Sequence, residues 1–125
     1  MRVRASLLVV VGLSLAAAAC SLLDPACTLV GCGPSLTLEF AEQPAGLLRV
    51  EATDVASADR RVIDCTNPGL CSRFVYFADF TPEEVIVRVV TQTGTTERTF
   101  HPSYQRSRPN GPRCEPECRQ ARIVM

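Results

Sequence analysis

From Ser35 onward the chain alternates between apolar and polar positions. Leu36, Leu38 and Phe40 interleave with Thr37, Glu39 and Ala41, the two-residue period of a strand with one buried face. Gln43-Pro44-Ala45-Gly46 breaks the run, and Leu48, Val50 and Ala52 then alternate with Arg49, Glu51 and Thr53 in a second strand. Residues 55–59 read as a polar turn and residues 61–65 as a short third strand. Thr66-Asn67-Pro68-Gly69 is the next turn, because Pro presets φ and Gly accepts φ > 0. Residues 73–80 carry Phe, Tyr and Val on both faces, which predicts a fourth and central strand.

Residues 84–91 are β-branched and predict a fifth strand, Thr93-Gly94 a tight turn, and residues 95–100 the returning sixth. Residues 105–117 form a loop rich in Pro and Arg around Pro109-Asn110-Gly111-Pro112, and residues 120–125 a last strand. After residue 34, apolar side chains never recur at helical spacing over a helical length. The expected fold is therefore all-β, a small antiparallel β-sandwich of about seven strands, with a small barrel as the alternative. Its expected core includes Leu36, Leu38, Phe40, Val50, Phe74, Tyr76, Val87 and Val89.

The start of the chain has another pattern. Arg2 and Arg4 precede an apolar run over residues 5–15 and small residues at 16–19, the three parts of an export signal. Residues 5–19 as a helix cover roughly 22 Å, less than the ~30 Å hydrocarbon core, so the run is too short to span a bilayer. Ala17-Ala18-Ala19-Cys20 resembles a bacterial lipobox, with Ala17 where a lipobox usually has Leu. The resemblance implies that Cys20 becomes the first mature residue and carries a diacylglyceryl group on sulfur. Ser21 after it, in place of Asp, implies the outer membrane by analogy with enterobacterial sorting. Plain signal cleavage after Ala19 fits the same small residues.

Cysteine arithmetic favours the lipid. Seven cysteines leave one over in an exported chain, and lipidating Cys20 leaves six to pair. The organisation is then a signal helix at 1–19, a lipid-anchored and irregular lead-in at 20–34, and a disulfide-stapled sandwich at 35–125. Cys65 and Cys71 flank a turn and are expected to bond. Cys27, Cys32, Cys114 and Cys118 can close two local loops or, in either of two ways, tie the lead-in to the loop before the last strand. Chain entropy favours the long ties: a loop of about 85 residues stabilises by ~4.6 kcal/mol and one of about 7 by ~2.4 kcal/mol. Spacing and export argue against a metal or redox use of these cysteines.

Two short pieces carry a second resemblance. Phe80-Thr81-Pro82-Glu83-Glu84-Val85-Ile86-Val87-Arg88-Val89, echoed by Pro44-Ala45-Gly46-Leu47-Leu48-Arg49-Val50, resembles the turn-and-strand of fibronectin-III-like and transthyretin-like or carboxypeptidase-regulatory-like modules, which implies an Ig/fibronectin-III-like or transthyretin-like β-sandwich. The whole is similar to the small uncharacterised lipoproteins of bacterial envelopes.

Charge excludes more than it assigns. The chain has 13 basic and 13 acidic residues, and loss of Arg2 and Arg4 leaves 11 against 13, so nothing points to nucleic acid. With no Trp and two Tyr, no aromatic platform for sugars or bases is expected. His101 is the single histidine, and no nucleophile elbow accompanies it. Glu83-Glu84 and the pair Glu115 and Glu117 read as exposed turn charges, because adjacent strand residues point to opposite faces. Arg106, Arg108 and Arg113 make the densest basic segment and are the candidate binding residues. The expected function is non-catalytic, a binding, accessory or structural module held at the membrane by lipid, with an envelope protein as partner and no cofactor. A small secreted inhibitor or toxin-like module using loop 105–117 is the alternative, and an enzyme the third reading.

Overall fold

The computed structural model describes residues 27–67 and 69–125. The signal segment, Cys20 and the first part of the lead-in lie outside the described residues. Eight strands follow in order: β1 (Ser35–Glu39), β2 (Leu47–Asp54), β3 (Arg60–Asp64), β4 (Phe74–Ala78), β5 (Val85–Thr91), β6 (Gly94–Phe100), β7 (Gln105–Ser107) and β8 (Cys118–Val124). There is no helix among the described residues. The strands form two sheets of four, β4-β1-β8-β7 and β3-β2-β5-β6.

Alternation places the core. Leu36 and Leu38 of β1, Val75 and Phe77 of β4, and Ala121 and Ile123 of β8 turn inward from the first sheet. They cluster with Val50 and Ala52 of β2 and Val85, Val87 and Val89 of β5, while Phe40 and Phe80 are buried just beyond strand ends. Each such Leu, Val or Phe contributes roughly 1.5–3 kcal/mol by leaving water, so this cluster is the main source of cohesion.

Four expectations change. β4 is an edge strand and not a central one, and its outward residues Phe74 and Tyr76 are 45 % and 53 % exposed, so both leave the expected core. Val75 and Phe77 take their places, because the alternation of β4 runs one residue out of step with the aromatic pattern. Second, the sheet is mixed. β1 pairs antiparallel with β4 and parallel with β8, in the register Leu36↔Ala121 and Leu38↔Ile123. A parallel pair needs a long connection, and here nearly the whole domain supplies it. Third, loop 105–117 opens with a strand: β7 pairs through Gln105↔Gln120, Arg106↔Arg119 and Ser107↔Cys118. Three exposed polar residues carry no alternation that a sequence pattern could detect. The β5–β6 turn is also one residue earlier than expected, at Gln92-Thr93, since Thr91 faces Gly94.

The expected turn over residues 55–59 is organised by Asp54. Its carboxylate accepts the Ala56 N–H at 2.9 Å and the Ser57 hydroxyl at 2.7 Å, which lets Ala58 hold φ 59°. The Ser57 hydroxyl, then the Ala56 N–H, keep the Asp54 carboxyl below its usual range. The order β4-β1-β8-β7 separates β1 from β2, which neighbour each other in the ABED sheet of immunoglobulin domains.

Candidate functional site

The three disulfides are Cys27–Cys114, Cys32–Cys118 and Cys65–Cys71, with Cα–Cα separations of 5.7, 6.0 and 5.1 Å. The two long ties span 87 and 86 residues and weld the lead-in to the loop before β8 and to the first residue of β8. Asn110 completes the weld. Its Oδ1 accepts from Thr28 Oγ1 at 2.7 Å and from the Val30 N–H at 2.8 Å. Its Nδ2 donates to the Val30 carbonyl at 2.9 Å and the Glu115 carbonyl at 2.7 Å. An amide has two acceptor sites and two donor protons, so its whole capacity is used. Gly111 at φ 117° permits the turn that aims it.

Two of the three candidate arginines belong to this weld. Arg108 Nε donates to Glu117 Oε2 at 2.8 Å and its Nη1 to the Pro112 carbonyl at 3.0 Å, while Arg106 Nη1 lies 3.6 Å from Glu117 Oε1. The hydrogen bond from Arg108, above all, lowers the Glu117 pKa, and the same bond raises that of Arg108. Glu115 Oε2 accepts the Glu117 N–H at 3.1 Å. The pair Glu115 and Glu117 thus holds the loop. Arg113 is exposed and stands apart from that ion pair, as His101 does after β6.

The outer face of sheet β4-β1-β8-β7 holds a groove of about 530 Å³. Strand register builds it: Thr37 stands between Tyr76 and Arg122, and Gln120 between Ser35 and Gln105, with Ser103 at the rim. The lead-in borders the same face, where Gln120 Nε2 donates to the Gly33 carbonyl at 3.2 Å. Hydroxyls, amides and one guanidinium line the groove, and no carboxylate or imidazole does. Arg122 is fixed by Glu39 Oε2 at 3.4 Å and by the Phe74 ring at 5.5 Å, and Glu39 also holds Arg73 at 3.0 Å. Such a lining can hydrogen-bond a polar or anionic ligand.

On the opposite outer face, Glu51 is 3 % exposed although its neighbours Arg49 and Arg60 reach into water. Each guanidinium nitrogen lies 2.7 Å from a Glu51 oxygen. Oε1 lacks a well-aligned N–H all the same, so its contact with Arg49 is ionic more than hydrogen-bonded. No group of three or more His, Cys, Asp or Glu among the described residues could hold a metal.

Sequence reasoning missed the groove because its residues come from four strands and share no spacing. It also missed Asn110, read only as a turn residue. No family model matches the chain, and no curated protein or solved structure matches it either.

Proposed function

We propose that the chain is an exported envelope lipoprotein, tethered through Cys20, whose sandwich serves as a non-catalytic binding module. The observation that carries this reading is the pairing of six cysteines into three disulfides, which fits an oxidising, periplasmic or extracellular setting. It leaves Cys20, the seventh, at the position where lipid would be attached. Only seven steps separate Cys20 from the disulfide at Cys27, so the tether spans at most ~25 Å and the domain lies against its membrane. The groove between β4, β1, β8 and β7 is the proposed contact face. Its polar lining supports a hydrogen-bonding partner at that surface, such as an envelope protein segment.

The inhibitor-like use of loop 105–117 has less support, because Arg106 and Arg108 are already engaged by Glu117. Detergent partition and intact mass test the anchor. Wild-type protein is expected in the detergent phase with the mass of a diacylglyceryl adduct on a chain starting at Cys20, and Cys20→Ser is expected in the aqueous phase. An unmodified chain beginning at Ser21 or Cys20 would refute it.

A further inference from the structure

Four strands end a sheet: β4, β7, β3 and β6. Natural edges are guarded with charge, proline or brevity against pairing with another chain. β3 carries Arg60, Arg61 and Asp64, β6 carries Glu97 and Arg98, and β7 is three residues long with Arg106. β4, Phe-Val-Tyr-Phe-Ala, has no guard.

Its open backbone groups follow from register. The Arg73 carbonyl receives the Phe40 N–H, and the Asp79 N–H donates to the Pro34 carbonyl, both at 2.9 Å. In an antiparallel pair the hydrogen-bonded residues alternate, so odd positions of β4 bond to β1 and Phe74, Tyr76 and Ala78 present N–H and C=O to the open edge. Phe74 confirms this parity: its outward N–H and C=O both meet the Ser72 hydroxyl, at 3.2 and 3.3 Å. Tyr76 and Ala78 have no such cover among the described residues.

We propose that β4 pairs antiparallel with β4 of a second copy of this chain, about a two-fold axis at Tyr76. That register opposes Tyr76 to Tyr76, Phe74 to Ala78 and Arg73 to Asp79, each across the two copies. All three inner pairs then use backbone groups that already point outward, the two that involve Phe74 by displacing the Ser72 hydroxyl. Arg73, which Glu39 holds at 3.0 Å within its own chain and which is still exposed, comes near Asp79 at both ends, so the charges that bracket the apolar strand are complementary to themselves. Shifting the centre to Phe74 or Ala78 loses this match and shortens the ladder. An isologous contact of this kind closes at two copies, and it joins the two grooves side by side, because Tyr76 lines each. The contact is small, so association in the ~10–100 µM range is expected in free solution.

The test measures self-association of the exported protein by sedimentation equilibrium, in density-matched detergent where it carries lipid. Photo-oxidative dityrosine cross-linking then maps the contact, which the presence of only two tyrosines makes unambiguous. The expected product links Tyr76 to Tyr76 and spares Tyr104, whose hydroxyl donates to the Pro82 carbonyl at 2.9 Å. Tyr76→Phe should keep the dimer and lose the cross-link. Tyr76→Lys, at a site 53 % exposed and therefore tolerant of the fold, should weaken association at least tenfold. Wild-type protein that stays monomeric at about 1 mM, a cross-link through Tyr104, or a Tyr76→Lys chain that dimerises like wild type would overturn the proposal.

Discussion

Asn110→Asp changes one NH2 to O and nothing in shape, yet it should be among the most damaging substitutions outside the core. In the native chain, Nδ2 supplies protons to the carbonyls of Val30 and Glu115. A carboxylate would instead bring a negative oxygen against two carbonyl oxygens at 2.9 and 2.7 Å. Four hydrogen bonds at roughly 0.5–1.5 kcal/mol each set the upper limit. Val30 is 53 % exposed, so water can replace part of that, and Asn110→Ala should cost about 2 kcal/mol. Asp should cost about 3 kcal/mol at neutral pH, because repulsion adds to the lost bonds. The introduced carboxyl would have a raised folded pKa. Its protonated form can donate again, so the Asp variant should regain stability as pH falls toward 4 while the Ala variant should not. Amide hydrogen exchange is the sensitive assay, since the disulfides keep the segment near even when it opens. Protection of the Val30 N–H should fall about thirtyfold in the Ala variant, which is ~2 kcal/mol, and further in Asp. Equal protection in wild type and Asn110→Asp would refute the reading of Asn110 as the clamp.

The two long disulfides should couple. Either alone closes a loop of 86 or 87 residues, after which the second closes a ring of only about ten. The chain-entropy model then gives ~2.7 kcal/mol for losing one pair and ~7 kcal/mol for losing both; strictly additive denaturation midpoints would refute it. Reduction should expose Arg106 and Arg113 to trypsin before any site within β4 or β5. Burial, more than the opposing charge of Arg119, pushes the Tyr104 hydroxyl up to about 12. A raised pKa means stability fully present below the unfolded value near 10 and lost as pH rises through 12. The side chain is only partly buried, so solvent screening reduces this to about 1 kcal/mol, and the alkaline loss should vanish in Tyr104→Phe. Asp54, Asp64 and Glu117 titrate low, so their contributions should hold above their unfolded values and fade as pH falls below about 4 in acid melts. Glu51→Leu should change stability by less than about 1 kcal/mol, because an apolar side chain needs neither guanidinium; a loss above 3 kcal/mol would make that ion pair a net stabiliser.

Where one face is buried the sequence was easy to read. Leu36, Leu38, Val50, Val87 and Val89 alternate cleanly and all sit in the core. β4 misled because both of its faces are apolar while only one is covered, and composition cannot say which edge of a sheet a strand will occupy. The pairing of Cys65 with Cys71 followed from a turn, and the long ties followed from loop entropy. The parallel contact of β1 with β8 depends on residues some 85 positions apart, to which no local period refers. The groove was illegible for the same reason. Loop composition described residues 105–117 correctly as polar, but not the strand at its start or the amide at its centre.

The Cys27–Cys114 bond also sets how the domain would bear tension. A pull applied between Cys27 and Met125 finds a covalent route through the sulfurs, bypassing the 87 residues of the loop. Only the eleven steps from Cys114 to Met125 can lengthen, about 40 Å of extended chain in place of roughly 340 Å for the whole. Force would therefore load β8 and its pairing with β1 and β7, and the sheet of β2 and β5 would stay out of the direct line of load. Under such a pull the domain would give by peeling one strand while the sulfur bridges hold the rest together.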